Sequence, residues 1–307
     1  MAQHTHQGSG ADRPSGFTAF GMRAEATRLG PGLHVVATPI GNLGDVSFRA
    51  LGTLAAAAAV LAEDTRVTKT LLAHYGITTP LVAYHEHNAE EMRPRILARL
   101  KQGEALALVS DAGTPLVSDP GYKLVQSALA EDIPVTTVPG PSAVLAALVV
   151  AGLPTDRFFF EGFLPPKSVG RRERLEILRA IPGTLVFFES PRRVAEMLAD
   201  ARDVLGDRPA AVARELTKFY ETVRRGPLSE LAARYAGEDA PKGEIVVLIG
   251  PPGAEAADEA CDDEAIDAKL REHLARLSVK DAVAIVAQET GLPRKRVYGR
   301  AVMIVKE

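Results

Sequence analysis

Hydrophobic residues fall along this chain in short runs separated by glycine, proline and charge. The first 31 residues mix Gly, Ser, His, Thr and Arg with no hydrophobic period, which predicts a disordered tail lacking the apolar core of a secretion signal. From Leu33 the pattern changes. LHVVATPI is a β-branched run of strand length, GNLG follows as a loop, and Val46 to Leu61 has the apolar period and length of a helix. The same unit recurs as ALALVS (Ala105 to Ser110) before a Tyr122 to Ala130 helix, and as VTTV (Val135 to Val138) before PGPS and an Ala143 to Ala151 helix. Strands alternating with helices indicate an α/β fold with a parallel sheet.

Near Leu153 to Arg157 the segment GLPTD breaks this rhythm and opens a second domain. Its predicted strands are RFFFEGFL, TLVFFES, AAVAREL, a hairpin-like ETVRRGP and GEIVVLIG, with helices around Arg171 to Ala180 and Val194 to Leu205. An acidic linker follows, then three short helices at Ala265 to Leu277, Lys280 to Thr290 and Arg294 to Val305. These form either a helix-turn-helix-like module or a plain three-helix cap. The expected organisation is a tail over 1–31, α/β domains over 32–153 and 154–251, a linker over 252–266 and a helical module over 267–307.

Composition supports this division. The chain has 307 residues, 46% of them hydrophobic, enough for two cores and too many for wholesale disorder. No apolar stretch approaches the ~18 to 20 residues of a membrane span, so a soluble, cytoplasmic protein is expected. The single cysteine, Cys261, forms no internal disulfide. The net charge of −3 hides a patchy distribution: Ala254 to Asp267 hold seven acids and no base, so the remainder stands at +4. Arginines cluster at Arg171, Arg172 and Arg174, at Arg192 and Arg193, and at Arg224 and Arg225. Such clusters fit either solvated faces or a polyanionic partner.

The candidate chemistry lies in three loops. PIGN (Pro39 to Asn42), SDAGTPLVSDPG (Ser110 to Gly121) and PGPSA (Pro139 to Ala143) each directly follow a predicted strand, so they converge at the carboxyl edge of a parallel sheet. Their glycines and prolines let backbone approach a ligand closely and fix the turns. One such loop alone would be an ordinary connection, but two Ser-Asp turns within twelve residues exceed what a connection needs. No G-x-G-x-x-G or G-x-x-x-x-G-K-[ST] is present, which argues against NAD or ATP bound in the usual way. No metal is expected: H-E-x-x-H and cysteine pairs are missing, and His85 and His87 flanking Glu86 make a weak case. No G-x-S-x-G elbow presents a nucleophile.

ATPIGNLGD, AEDTR, SDAGTPLVSDPG, PGPSA, GLPTDRFFFEGFLP, ARELTK and KGE, in this order over about Leu33 to Gly250, resemble the tetrapyrrole methylase superfamily, and within it the enzymes that methylate small-subunit ribosomal RNA. The resemblance implies two α/β domains, a parallel Rossmann-like sheet and then a mixed one, with a small helical module behind them. It implies an S-adenosylmethionine-dependent transferase acting on the ribose 2′-hydroxyl of a cytidine in the decoding region of 16S ribosomal RNA, free or in the small ribosomal subunit. It further implies a homodimer with the donor in the cleft between the domains. Donor contacts are expected from Pro39, Gly41, Asp111, Gly113, Thr114, Pro115, Pro141, Ser142 and Ala143. Ser142 stands where many relatives have cysteine, a change that keeps a small residue in the turn. Asp111 suits a sulfonium donor or its hydroxyl and amino groups, and equally suits a helix N-cap or Asx-turn.

Asp64, Glu189, Glu215 and Lys218 are the candidates for a base, with no choice among them. Arg66, Lys69, Arg192, Arg193 and Arg214 are candidates for the RNA backbone, though a surface ion pair is an equal reading of each arginine. Phe187 and Phe188 lie inside a predicted strand and read as core rather than stacking residues. Two rival functions are methylation of a corrin precursor and a non-catalytic RNA-binding assembly factor with a vestigial pocket.

Overall fold

The computed structural model describes residues 15–116, 121–253, 263–290 and 292–306. The chain divides into two compact units, with the break between Ala143 and Val144. That break precedes the expected boundary near Leu153 by the length of one helix.

The first unit is built on a five-stranded, wholly parallel sheet. Its strands are β3 (Gly32–Val36), β4 (Ala59–Ala62), β5 (Leu81–Ala83), β6 (Ala105–Val109) and β7 (Val135–Val138), in the order β5-β4-β6-β3-β7. Helices α1 (Phe48–Ala56), α2 (Thr65–His74), α3 (Ala89–Lys101) and α4 (Tyr122–Ala130) connect them. The three inner strands β3, β4 and β6 are covered on both faces, which is why their sequences are nearly apolar throughout rather than alternating, whereas the edge strand β7 exposes Thr136 and Thr137. Leu106 and Leu108 pack with Leu33, Ile96 and Leu124, whereas Ala107 and Val109 pack with Val36, Leu54 and Val60.

Two expectations are corrected here. The segment expected as disordered tail holds a hairpin, β1 (Gly16–Ala19) and β2 (Met22–Glu25), turned at Phe20 and Gly21 with φ of 51° and 73°. Both central residues of this turn are left-handed, the conformation that matches strand twist, and Phe17 is buried in the core beside α1. Residues 1–14 lie outside the described residues. The run from Val46 to Leu61, expected as one helix, is α1 followed by β4. Ala57 leaves the helix at ψ 146°, and the next residues pair on both sides with β5 and β6. Alanine's helix preference is a few tenths of a kcal/mol per residue, which a central place in a sheet outweighs.

The second unit begins with α5 (Ala143–Ala151, from its second residue) and holds a mixed sheet. Strands β8 (Phe158–Phe163), β9 (Thr184–Glu189), β10 (Pro209–Arg214), β11 (Thr222–Pro227) and β12 (Ile245–Ile249) lie in the order β11-β10-β12-β9-β8, with only β8 and β9 parallel. Helices α6 (Ser168–Leu178), α7 (Val194–Leu205) and α8 (Leu228–Ala236) bury Leu175, Met197, Leu198 and Leu231 against Leu185, Phe187, Val212 and Val247. Within that core Arg171 is 1% exposed and donates to Asp200 at 2.7 Å, and Asp200 also accepts from Ser168 and Arg172. Three further helices, α9 (Asp263–Leu274), α10 (Val279–Thr290) and α11 (Arg294–Lys306), enclose Ile266, Leu270, Val286, Val297 and Ala301. Most of the acidic linker, with Cys261, lies outside the described residues.

Candidate active site

The three glycine- and proline-rich loops lie together at the carboxyl ends of β3, β6 and β7, and they are joined pairwise. Thr38 and Gly113 exchange backbone hydrogen bonds, Thr38 N to Gly113 O at 2.9 Å and Gly113 N to Thr38 O at 3.0 Å. The Thr38 hydroxyl also donates to Ser110 O. Thr114 Oγ1 donates to Pro141 O at 3.1 Å, tying the second loop to the third. The first and third loops touch at Gly140, where an added Cβ would stand 3.0 Å from that of Ala37. Gly113 has φ +77°, and a Cβ there would meet Ile40 Cγ2 at 3.2 Å. Pro39 and Pro115 are buried, and Pro141, Ser142 and Ala143 half-buried, while Gly41 and Asp111 are exposed on this frame. The second Ser-Asp turn, Ser118 and Asp119, lies outside the described residues.

Asp111 caps no helix among the described residues. Its Oδ1 accepts from the backbone N of Asp64 at 2.8 Å, so it braces the loop after β4 against the loop after β6, and its other oxygen makes no hydrogen bond among the described residues. Asp64 is the N-cap of α2, accepting from Arg66 N at 2.8 Å, and it also receives the Arg66 guanidinium at 2.6 Å. The Arg66 side-chain hydrogen bonds hold the Asp64 carboxyl at about 2, far below what a proton acceptor at neutral pH requires. Lys69 borders a groove of about 580 Å³ that Thr65, Leu72 and Thr79 also line.

The remaining predicted residues gather at one edge of the second sheet. Arg214 of β10 pairs with Ile245 of β12, which pairs with Glu189 of β9, so the three lie in one row across the sheet. Glu189 is buried, and its Oε1 accepts from Ser190 N at 2.7 Å and from Arg193 at 2.6 Å. Its Oε2 is buried with no hydrogen-bond partner among the described residues. Glu215 Oε1 accepts from Glu244 N and Lys218 Nζ, both at 2.9 Å, and these bonds, the backbone one first, hold its carboxyl below the usual range. Burial pulls the Lys218 ammonium down, but Glu215 and Glu244 more than offset it and keep it protonated. Arg214 donates to Lys242 O, Tyr220 O and the Thr222 hydroxyl and forms no ion pair among the described residues. Arg192 is exposed and forms no ion pair among the described residues, whereas Arg193 is committed to Glu189. Phe187 is core, and Phe188 packs against Phe160 and Phe163.

The sequence reading missed Thr38 and Gly140, which fasten the loops, and the aromatic pair Phe219 and Tyr220. For the first two the signal was present, a hydroxyl at a strand end and a glycine between prolines. The last two fall in the connection between the predicted strands AAVAREL and ETVRRGP, where the sequence alone does not show their exposure.

Residues 32–232 match the family of tetrapyrrole (corrin/porphyrin) methylases, and residues 259–303 match the RsmI C-terminal HTH domain. Ribosomal RNA small subunit methyltransferase I of Mesorhizobium japonicum is 53% identical over 276 residues, covering 90% of this chain and 92% of that protein. The chain belongs to the ribosomal RNA small subunit methyltransferase I family. The Escherichia coli O157:H7 member of the same family is 45% identical over 87% of this chain and 93% of its own length. Among solved structures, cobalt precorrin-4 methyltransferase superposes with a TM-score of 0.54 at 20% identity, over 71% of this chain and 94% of that one. Diphthine synthase does so at 0.55 and 17%, over 71% and 89%. These likenesses establish the shared two-domain α/β fold, while family membership rests on the methyltransferase I relatives. The helix-turn-helix match resolves the three C-terminal helices in favour of that module over a plain cap.

Proposed function

We propose that this chain transfers the methyl group of S-adenosylmethionine to the ribose 2′-hydroxyl of a cytidine in 16S ribosomal RNA, in the cytoplasm where the small subunit is assembled. The observation that carries the reading is the interlocked loop frame of the first sheet, in a chain 53% identical over 90% of its length to a ribosomal RNA small subunit methyltransferase I. The frame fits the donor chemically. Its walls are backbone, its glycines leave no side chain in the way, and the exposed Asp111 carboxylate retains an oxygen for a hydroxyl, amino or sulfonium group. When bound, S-adenosylmethionine supplies an electrophilic methyl on a cationic sulfur. Gly41, Asp111, Gly113, Thr114, Pro115, Pro141, Ser142 and Ala143 would hold it, with Pro39 shaping the first loop.

Methyl transfer to oxygen needs in-line approach, so a rigid donor frame and a fixed acceptor supply much of the rate. None of the four base candidates is presented as a free base. Asp64, Glu215 and Lys218 are held in their charged, paired forms, and the unpartnered oxygen of Glu189 is buried. The chain's contribution is therefore positioning, with the 2′-hydroxyl proton passing to solvent. We also infer the homodimer of the family, for which the exposed Phe158 and Phe163 on the edge strand β8 offer an apolar surface. A monomer in sedimentation would refute that part alone.

The test is transfer from labelled S-adenosylmethionine to small ribosomal subunits, with free ribosomal RNA in parallel, followed by digestion to nucleosides. Label is expected in 2′-O-methylcytidine. Donor binding without label in either RNA would contradict the reading.

A further inference from the structure

The segment from Arg214 to Glu221 joins β10 to β11 and is held unusually firmly for a surface turn. Lys218 N donates to Glu215 O at 3.0 Å, Glu221 N to Lys218 O at 3.1 Å, and Thr217 N to the Glu221 carboxylate at 2.6 Å. The Arg214 guanidinium reaches back to Tyr220 O at 3.1 Å and across to Lys242 O at 3.0 Å. Glu215 and Thr217 both have positive φ, 52° and 66°, which side-chain-bearing residues adopt only when their surroundings over-determine them.

This fixed backbone carries two large rings into solvent. Phe219 is 93% exposed and Tyr220 68% exposed, and they meet edge to face with centroids 5.0 Å apart. Neither ring belongs to a core of this unit, so local folding does not account for them. The charge around them is mixed, with the Glu221 carboxylate held by Thr217 N beside exposed cations. Lys218 is neutralised by Glu215 and Glu244, and Arg214 also lies close enough to Glu215 to favour its charged form, whereas Arg192 and the exposed Lys242 form no ion pair among the described residues. The row from Arg214 through Ile245 to Glu189 places the loops bearing Arg192, Arg214 and Lys242 at one sheet edge.

Aromatic faces on a rigid support beside exposed cations match single-stranded nucleic acid, in which unstacked bases offer free π-faces and the backbone offers phosphates. We propose that Phe219 and Tyr220 form a stacking platform for an unpaired base of the acceptor RNA, with Arg192, Arg214 and Lys242 engaging the adjoining phosphates. This rests on the reading of the chain as a ribosomal RNA methyltransferase. A base within a helix has both faces covered, so the platform selects a nucleotide that the particle already displays or that binding splays out.

The chain contains no tryptophan, so Phe219→Trp introduces a single fluorescent reporter at the platform. Its emission should be quenched saturably by small ribosomal subunits and left unchanged by S-adenosylmethionine alone. In the double variant Phe219→Ala, Tyr220→Ala the acceptor concentration at half-saturation should rise roughly ten- to hundredfold, with the larger share of the loss in KM rather than kcat and with donor affinity retained. Retained donor affinity and an unchanged melting temperature exclude misfolding. Unmoved emission at saturating acceptor, or a wild-type KM in the double variant, overturns the platform while wild-type label transfer keeps the functional reading. A change of oligomeric state in the double variant overturns it too, because a second copy would then cover the rings. Failure of the wild type to label ribosomal RNA removes both.

Discussion

At the carboxyl edge of the first sheet the loops fasten to one another at short range: Thr38 and Gly113 exchange backbone hydrogen bonds, the Thr114 hydroxyl holds Pro141 O, and Gly140 packs on Ala37. At the corresponding edge of the second sheet, side chains do the fastening, through Glu189 with Arg193, Glu215 with Lys218, and Arg214 on two carbonyls. On the proposed function the difference follows from the ligands. A small donor of fixed shape is held by close approach, which glycine and proline provide. A long, flexible polyanion is held by cations and aromatic faces, which only side chains provide.

Removing a charge from the second unit should have the largest effect on stability. Asp200→Ala takes the short ion pair from the buried guanidinium of Arg171 and leaves it only Glu196 at 3.5 Å and the Pro166 carbonyl, at a cost of about 3 kcal/mol, read as a fall in melting temperature. If that variant melts like the wild type, side chains do not organise this unit. Gly113→Val comes next. It places a β-branched residue at φ +77° against Ile40, at a strain of about 1–3 kcal/mol, and calorimetry should show donor affinity reduced at least ~10-fold. A smaller effect is expected for Lys242→Ala and Arg192→Ala. Each should weaken the acceptor uniformly and lower the slope of log affinity against log salt by about 0.7, leaving the donor isotherm unchanged. An unaltered salt slope would remove these residues from the RNA surface.

The smallest effect concerns acid. Asp64 in the folded chain titrates at about 2, held there by Arg66, against an ordinary 3.8. A depressed carboxylate contributes its full stability above the unfolded value and loses it as pH falls through the folded one. The contribution of the α2 cap should therefore be complete at neutral pH and disappear between about pH 4 and pH 2. Asp64→Asn should flatten the melting temperature over that window and add no limb to the neutral pH–rate profile. A new limb near neutrality would restore Asp64 as a base.

The two edges were unequally legible in the sequence. PIGN, SDAGTP and PGPS announce themselves because a close-approach turn demands glycine and proline locally, and the fold brings those loops together as a parallel sheet requires. Strands β3, β6 and β7 and those of the second sheet were legible as apolar runs bounded by turn residues, whereas β5 was not foreseen. Three further features were not legible. Alanine carries no information on whether it lies in helix or sheet, so the passage from α1 to β4 depended on pairing with β5 and β6. The hairpin at Gly16 to Glu25 is too short to show a period and depends on Phe17 reaching a distant core. Phe219 and Tyr220 fall in the connection between the predicted strands AAVAREL and ETVRRGP, where the sequence does not show that a turn with positive φ at Glu215 and Thr217 leaves them exposed. The roles of Asp64 and Glu215 were hidden similarly, since a sequence shows a carboxylate but not the arginine or lysine that holds its charge.

The most direct test of this division of labour is a crossed measurement on two variants, Gly113→Val and the double variant Phe219→Ala, Tyr220→Ala. Donor dissociation constant and acceptor half-saturation are determined for each beside the wild type. The account requires that the first variant lose donor affinity with acceptor half-saturation retained, and that the second lose acceptor affinity with the donor constant retained. Equal losses of both quantities in both variants would contradict it and place donor and acceptor recognition in one coupled site.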